Sequence, residues 1–324
     1  MKAVLSILAT LIALLVGEHA SAQSSYPNRP VRIVVGFPPG TAPDVSARIL
    51  AAKFANSWNV PVTVENITGA GSNIATERVA NSSADGYTLL MGGNSALVVS
   101  PSLYDKLPYD PVKDFAPISQ IFVAVNILTV HPNVPANTLP ELVALAKAQP
   151  GKLTYGHAGI GTSQHLAGEL FKYMAHVDIQ PVAYRGSTAV VPDLLAGRVT
   201  MFFGNVVNVM PLIRDGKLRA FAVTSLKRSV VAPDLPTLAE SGFPGFEAVP
   251  WFGLMAPSGT PPEVIDKIYR ETVKDLAMPE VRKAMGEQGL DIIGNSPTEF
   301  AAVLAKEIPA WARVIKETGI KIAN

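Results

Sequence analysis

The sequence has no cysteine, little charge and no excess of one sign. Only 16% of its 324 residues are charged, and 27 Lys and Arg stand against 26 Asp and Glu. The absence of cysteine excludes a disulfide framework, a thiol nucleophile and a thiolate metal site. Because the chain has no basic excess to neutralise phosphates, we expect no nucleic-acid partner.

Long hydrophobic runs are also missing, except near the N-terminus. Residues 4–16 are apolar apart from two positions, Lys2 precedes them, and the small-x-small sequence Ala20-Ser21-Ala22 follows. This order is typical of a secretory signal peptide, and the run is shorter than the about 20 residues that span a bilayer. We predict a signal peptide, residues 1–22, cleaved after Ala22, and export of a chain of 324 − 22 = 302 residues to the periplasm. A retained membrane anchor is the alternative.

Runs rich in β-branched residues alternate with helical patterns along the rest of the chain. The strand candidates are residues 31–37, 61–65, 87–91, 127–130, 153–156, 179–184, 199–203, 218–224 and 252–256. Helical patterns lie at residues 139–148, 163–174, 188–196 and 206–215, and the tail from 262 to 318 is nearly all helical. This alternation is typical of an α/β fold with mainly parallel sheets flanked by helices.

The number of strand candidates fits two sheets better than one. Residues 131–137 and 241–246 are rich in Pro, Gly and Asn and resemble connections. If the chain crosses between domains near residue 125 and returns near 249, residues 125–248 form one domain. Residues 23–124 and 249–324 then form the other. The pattern alone leaves this double crossing open.

The loop that follows the first strand is a candidate anion site, because ligands of open α/β sheets bind beyond the carboxyl ends of the strands. It contains Phe37, Gly40, Thr41, Ala42 and Asp44. Thr41 with Asp44 resembles a helix-entry cap, and the free N–H groups of a helix start bind anions. The Asp44 carboxylate would repel an anion, so the loop backbone is the better candidate for contact.

Three further loops carry glycine and small polar residues. Residues 69–73 contain Gly-x-Gly without the third glycine of a dinucleotide site, and residues 92–95 follow a strand directly. Residues 156–165 again join a strand to a helix, and their N–H groups suit a buried carboxylate. The sequence has no phosphate-binding P-loop, and we expect no cofactor.

A catalytic set is not evident. Ser163 and His165 are two residues apart on a helix and do not face each other, so they form a poor nucleophile–base pair. His165 and Glu169 are four apart and could meet a metal, but the sequence offers no third ligand. We therefore predict a protein that is not an enzyme.

An ordered set of short motifs resembles a known family. It comprises Phe37-Pro38-Pro39-Gly40, Asp44-x-x-Ala47-Arg48, Gly69-Ala70-Gly71, Asp85-Gly86-Tyr87-Thr88-Leu89, Pro150-Gly151-Lys152-Leu153-Thr154-Tyr155, His165-Leu166-Ala167-Gly168-Glu169, Tyr184-Arg185-Gly186 and Trp251-Phe252-Gly253. The chain resembles the Bug family, the TctC-like periplasmic receptors of tripartite tricarboxylate transporters, over essentially its whole mature length. The resemblance implies a two-domain periplasmic binding protein of the Venus-flytrap type (type II).

The resemblance also implies a set of ligand-binding residues between the domains. These are Phe37, Gly40, Thr41, Ala42, Asp44, Gly71, Ser72, Asn73, Asn94 and Ser95 of one domain, and Ala158, Gly159, Gly161, Thr162, Ser163, His165, Tyr184, Arg185 and Asn205 of the other. The chain departs from the family pattern where Thr41, followed by Ala42-Pro43, replaces a second Gly after Gly40. Ser72 and Gly204 are further departures.

The expected function is capture of a small organic acid by domain closure and its delivery to a transporter. The acid is a mono- or dicarboxylate, aliphatic or aromatic, and the partners are the large and small membrane subunits of the transporter. We expect a monomer. The alternatives are a secreted α/β hydrolase or lyase, and a receptor that delivers its ligand to a sensor kinase.

Overall fold

The computed structural model describes residues 26–184 and 186–319. The predicted signal peptide, its cleavage site and Arg185 lie outside the described residues. Within the described ranges, no helix has both the length and the apolar character needed to traverse a bilayer.

The strands of the described chain form two sheets. They are β1 (Val31–Val35), β2 (Val62–Asn66), β3 (Thr88–Gly93), β4 (Phe115–Ala124), β5 (Asn126–Val130), β6 (Thr154–His157), β7 (Gln180–Ala183), β8 (Met201–Asn205), β9 (Arg219–Val223), β10 (Trp251–Pro257) and β11 (Leu290–Ile292). The first sheet has the order β11-β4-β10-β3-β1-β2, and the second has the order β7-β6-β8-β5-β9.

Helices flank both sheets. They are α1 (Ala42–Trp58), α2 (Asn73–Ala80), α3 (Ser100–Leu103), α4 (Leu139–Ala148), α5 (Ser163–Ala175), α6 (Ser187–Leu195), α7 (Val206–Arg214), α8 (Pro262–Leu276), α9 (Pro279–Glu287) and α10 (Pro297–Thr318), with a π-helical segment, Ser95–Val99, leading into α3. We call the first sheet with α1–α3 and α8–α10 the first lobe, and the second sheet with α4–α7 the second lobe. The long helix α10 packs on β4 and also contacts α5 of the second lobe.

Most strands of each sheet run in one direction, as predicted, four of six in the first sheet and four of five in the second, and the remaining strands run against them. β1 pairs in parallel with β2 and β3, and β6 pairs in parallel with β7 and β8. β5 and β10, which enter one sheet directly from the other, are antiparallel to both of their neighbours. Two parallel neighbours are usually joined by a helical crossover, which returns the chain to the end of the sheet where the first strand began. In the described chain, no helical crossover precedes β5 or β10, so both run against their neighbours.

Two strands, β4 and β11, are absent from the sequence prediction. Pro117 in the middle of β4 argues against a strand on sequence grounds, because proline removes a ladder hydrogen bond. The register of β4 against β10 shifts between Leu254 and Met255, the partner of Pro117, so an irregularity accommodates the proline. β11 has only three residues and lies at the sheet edge, where a short strand carries little pattern.

The β1–α1 unit shows how packing places a loop at the cleft. Val31, Ile33 and Val35 alternate along β1, and they share one buried cluster with Leu50 and Phe54 of α1. Burying side chains of this size contributes about 1.5–3 kcal/mol each. Because the strand and the helix are fixed by this cluster, the loop between them is held at the carboxyl end of β1.

Candidate functional site

A cavity of about 540 Å³ lies between the two lobes. The first lobe contributes Phe37, Gly40, Thr41, Ala42, Pro43, Ala70, Gly71, Asn94, Ser95, Val99, Ser100, Leu103, Tyr104, Phe252, Gln288, Gly289 and Leu290. The second lobe contributes Ile160, Gly161, Thr162, Ser163, Gln164, Thr188, Asn205, Val206, Val207 and Asn208, and Ala124, Val125 and Pro250 lie where the chain passes between the sheets. The volume is in the range of small-molecule sites, about 300–1,000 Å³.

The residues predicted from the sequence divide into two groups. Those that line the cavity are Phe37, Gly40, Thr41, Ala42, Gly71, Asn94, Ser95, Gly161, Thr162, Ser163 and Asn205. Those that the structure places elsewhere are Asp44, Ser72, Asn73, Ala158, Gly159, His165 and Tyr184. The fold thus brings together loops from both lobes that are more than 100 residues apart in the chain.

Three helices begin at the cavity, and none of the three has a side-chain cap at its start. Their N-cap residues are Thr41 for α1, Thr162 for α5 and Asn205 for α7. The Thr162 hydroxyl donates to the Gly159 carbonyl (2.6 Å), and the Thr41 hydroxyl donates to the Pro38 carbonyl (2.7 Å). The first-turn amides of a helix have no partner within the helix and carry the positive end of its dipole. These starts are therefore suited to an anionic ligand.

Asp44 stabilises the loop between β1 and α1 from behind. Its side chain is only 2% exposed. It accepts hydrogen bonds from the Gly40 backbone N–H and the Asn66 amide, each at 2.8 Å, and forms an ion pair with Arg48. Burial raises the pKa of Asp44, but the bonds from Arg48, Gly40 and Asn66 outweigh burial and leave it below its usual value. The sequence predicts a cap formed by Thr41 and Asp44. In the structure, Asp44 instead accepts the N–H of Gly40, one residue before Thr41.

Ser72 and Asn73 also lie behind the cavity. Ser72 is buried in a left-handed conformation (φ 83°), and a Cβ on Gly36 would come within 1.9 Å of its hydroxyl oxygen. Asn73 accepts a hydrogen bond from the Tyr109 hydroxyl at 2.7 Å. The close approach of Ser72 explains why residue 36 is glycine.

Two neighbouring histidines, whose rings are inclined at 51°, fix the loop between β6 and α5. The rings of His157 and His165 lie 4.6 Å apart. His157 Nδ1 accepts the Gly159 N–H, and His165 Nδ1 accepts the Gly161 N–H. Burial, reinforced by His157, lowers the pKa of His165 to about 4, and burial also lowers the pKa of His157. Both rings are therefore neutral near pH 7 and act as acceptors for the loop.

Three further predicted residues of the second lobe, Ala158, Gly159 and Tyr184, do not line the cavity. Ala158 and Gly159 belong to the loop between β6 and α5. The Tyr184 hydroxyl donates to Asp193 at 2.8 Å, so this side chain is bound to α6.

A polar network in the second lobe was missed by the sequence analysis, apart from Asn205. The Gln164 amide donates to the Ser187 hydroxyl (2.7 Å) and to Asn205 Oδ1 (2.8 Å), and Asn205 Nδ2 donates to Asn126 Oδ1 (2.9 Å). These residues come from α5, α6, β8 and β5, so only the tertiary fold brings them together. The network ties three loops at the cavity into one unit.

The first-lobe wall was also missed in large part. Val99, Ser100, Leu103 and Tyr104 come from the segment after β3, and residues 288–290 comprise the turn before β11 and the first residue of β11. This second stretch lies in the tail that the sequence pattern assigns to helices. The sequence would have indicated residues 288–290 as part of the site only if β11 had been recognised as a strand.

The chemistry of the cavity is that of a neutral binding site. Among the described residues that line it, none is Asp, Glu, His, Lys or Arg. Across residues 26–184 and 186–319, no three His, Asp or Glu side chains are placed to hold a metal ion. His165, the base nearest to Ser163 in the sequence, accepts a backbone N–H through Nδ1. This arrangement can bind and orient a small molecule by hydrogen bonds and apolar contact.

A two-lobed α/β protein with such a cavity is a ligand-binding architecture of the periplasmic binding protein class. The chain belongs to a family described as tripartite tricarboxylate transporter family receptor, whose model matches residues 46–320. It is 40% identical to Protein BugT of Bordetella pertussis over 299 residues, which cover 92% of each chain. The relatives and the fold are those of transporter receptors that bind solutes, not of enzymes.

Solved structures confirm the two-domain fold. Rpa4515 of R. palustris with adipate is 34% identical, with a TM-score of 0.79 over 91% of this chain and 99% of that one. MatC from Rhodopseudomonas palustris with bound malate is 31% identical, with a TM-score of 0.75 over 90% of this chain and 100% of that one. Family members are thus solute receptors, and two of these neighbours carry carboxylates.

Proposed function

We propose that the protein captures a small organic carboxylate in the cavity between its lobes and delivers it to the membrane subunits of a tripartite tricarboxylate-type transporter. The observation that carries this proposal is the meeting of three uncapped helix starts at a cavity whose lining, in the part of the chain that the structure describes, has no charged side chain. Amides of this kind bind carboxylates by charge-assisted hydrogen bonds. The adipate and malate complexes of the two relatives support the same ligand class.

The proposed ligand contacts are backbone amides, with small polar side chains around them. Ser163 and Gln164 begin α5, Val207 and Asn208 lie in the first turn of α7, and Ala42 begins α1. Closure of the lobes removes water and brings both sets of donors to the ligand. The ligand stabilises the closed state by the contacts it makes only there.

The proposed cellular setting follows from the N-terminal sequence and the family. Residues 1–22 act as a signal peptide that is cleaved after Ala22, and the mature chain acts as a monomer in the periplasm. Residues 23–124 with 249–324 move as one domain and residues 125–248 as the other. The closed form docks on the membrane subunits.

A thermal-shift screen followed by calorimetry tests the proposal. Mono-, di- and tricarboxylates are compared with neutral amides of the same carbon skeletons. A ligand that binds only the folded state raises the unfolding temperature by mass action. We expect at least one acid to raise it and its amide to have no effect. If the amides bind as well as the acids, or if no acid binds, the proposed function is wrong.

A further inference from the structure

The cavity lining includes a set of apolar side chains. We define the apolar wall as Phe37, Val99, Leu103 and Phe252 of the first lobe with Ile160 and Val207 of the second lobe, all of which line the cavity. Ile160 and Val207 are each 45% exposed, and the rings of Phe37 and Phe252 meet edge to face at 5.3 Å. Exposed apolar side chains gain free energy when a ligand covers them.

Three side-chain hydrogen-bond donors of the first lobe that line the cavity are already used by the protein. The Thr41 hydroxyl donates to Pro38, the Asn94 amide donates to the Val249 carbonyl (3.1 Å), and the Ser95 hydroxyl donates to the Gly71 carbonyl (3.2 Å). Pro43, in the first turn of α1, has no N–H to offer. Thr41, Asn94 and Ser95 are therefore less able to bind a second acid group, and α1 offers one first-turn amide fewer than a helix without proline.

The second lobe has the opposite character. α5 and α7 both begin at the cavity without side-chain caps, and neither has proline among its first residues. Ser163, Thr188 and Asn208 add polar side chains from the second lobe to the lining. Two of the three uncapped helix starts at the cavity thus lie on the second lobe, while four of the six apolar-wall residues belong to the first lobe.

We infer that the preferred ligand is a monocarboxylate with a bulky apolar or aromatic body, bound with its carboxylate at the starts of α5 and α7 and its body against the apolar wall. This inference rests on the proposed function. A second carboxylate at the apolar wall would lose its water without gaining donors, which is strongly unfavourable. Dicarboxylates such as those in the two solved relatives therefore fit this cavity poorly.

Calorimetry with matched acids tests the inference on purified protein that has been unfolded, stripped of bound ligand and refolded. Hexanoate and adipate have the same chain length and differ only in whether a methyl or a carboxylate stands at the far end. Benzoate represents the aromatic acids, and hexanamide is the neutral control. We expect hexanoate or benzoate to bind at least about tenfold more tightly than adipate.

The outcomes separate this inference from the proposed function. Adipate binding as tightly as the monocarboxylates, or more tightly, overturns the inference and leaves the proposed function standing. Hexanamide binding as well as hexanoate, or no binding by any acid, overturns both.

A matched pair of variants locates the apolar contact. Val207→Thr keeps the shape of the side chain and replaces one methyl of the apolar wall by a hydroxyl. We expect it to weaken hexanoate about fourfold, the effect of one buried carbon, and to leave adipate unchanged or improved. Val112→Thr makes the same exchange at a position that is 63% exposed and outside the cavity, and it should change neither affinity. Equal effects of the two variants on hexanoate would overturn the placement of the ligand body.

Discussion

At the residue scale, the site depends on which groups occupy the usual capping positions. Threonine at a helix N-cap commonly bonds to an amide of the first turn. Thr41 and Thr162 instead donate to the carbonyls of Pro38 and Gly159. The first-turn amides of α1 and α5 are therefore left for a ligand. Threonine, which often caps the start of a helix, does not cap it at either position.

A negative charge at the start of α5 should abolish binding. Ser163 is the first residue of α5, half-buried at the cavity. Ser163→Asp places a carboxylate where the ligand carboxylate is proposed to bind, so we expect affinity to fall by more than about 100-fold. The fold should persist, because an acidic residue is favourable in the first turn of a helix. Calorimetry and thermal unfolding measure both effects.

Thr298→Asp is the matched control for this variant. Thr298 is exposed in the first turn of α10, away from the cavity. It should leave affinity unchanged. Full binding by Ser163→Asp would remove the start of α5 from the site.

The buried His165 should make the protein less stable in acid. Its pKa is lowered to about 4 in the folded state, whereas an unfolded histidine titrates near about 6.5. Between these values the unfolded chain binds a proton that the folded chain does not. The stabilisation is therefore complete above about pH 6.5 and is lost as the pH falls towards 4, by on the order of 1 kcal/mol per pH unit.

Urea unfolding between pH 4.5 and 7 measures this dependence. His165→Asn keeps an acceptor for the Gly161 N–H and removes the titrating ring, so the unfolding free energy should change less steeply with pH. His176→Asn, at the exposed left-handed residue that ends α5, should leave the slope unchanged. An unaltered slope in His165→Asn would contradict a neutral, buried His165.

At the element scale, the two main loops of the site are each fixed from behind by a buried side chain. Asp44 holds the loop after β1 through Gly40, and the pair His157 and His165 holds the loop after β6 through Gly159 and Gly161. In both loops the buried group accepts a backbone N–H. Such support fixes the loop backbone before a ligand arrives, which reduces the entropy cost of binding.

Removal of the Asp44 carboxylate should loosen the loop after β1. We expect Asp44→Ala to lower the free energy of unfolding by about 2 kcal/mol, since hydrogen bonds to a charged group contribute about 1.5–3 kcal/mol. Ligand affinity should fall as well, because the loop is no longer fixed. Asp215→Ala, which breaks an exposed ion pair with Lys217, should change stability by less than about 0.5 kcal/mol. Equal effects of the two variants in urea unfolding would contradict the role of Asp44.

The elements that the sequence predicts well are those with a strong local pattern. The β-branched run of β1 and the helix α4, with Thr138 capping its start, fall within two residues of their predicted bounds. β4 was missed because of Pro117, and β11 because three residues carry no period. Both depend on pairing with distant strands, which no local pattern records.

The candidate site was predictable where a strand ends in a glycine loop. Thr41 and Ser163 follow this rule and line the cavity. The rule does not tell which residues near the end of a strand line the cavity. It also included Asp44 and Tyr184, which do not line it. It contains no information on Phe252, a buried strand residue that reaches the cavity from β10.

At the scale of the whole molecule, the lobes touch on two sides of the cavity. A Cβ on Gly161 of the second lobe would lie 3.3 Å from Leu103 of the first lobe. A Cβ on Gly289 of the first lobe would come within 2.2 Å of Val206 and 3.0 Å of Val207. The arrangement of the lobes in this structure therefore requires glycine at position 289.

A side chain at position 289 should hinder closure. Gly289→Ala adds a Cβ that clashes with Val206, so we expect a larger radius of gyration by small-angle X-ray scattering and weaker ligand binding. Gly216 has the same φ of 69° with no atom within 4 Å of a built Cβ. Gly216→Ala thus carries the same backbone strain, on the order of 1 kcal/mol, without the contact between lobes. Identical scattering and affinity for the two variants would contradict a role of Gly289 in closure.

The most direct test of the account is a crystal structure of the protein with a bound acid such as benzoate. We predict that the carboxylate lies between the lobes, with its oxygens about 3 Å from the backbone nitrogens at the start of α5. A carboxylate bound outside this cavity, or held there by a cationic side chain in place of the amides, would contradict the account.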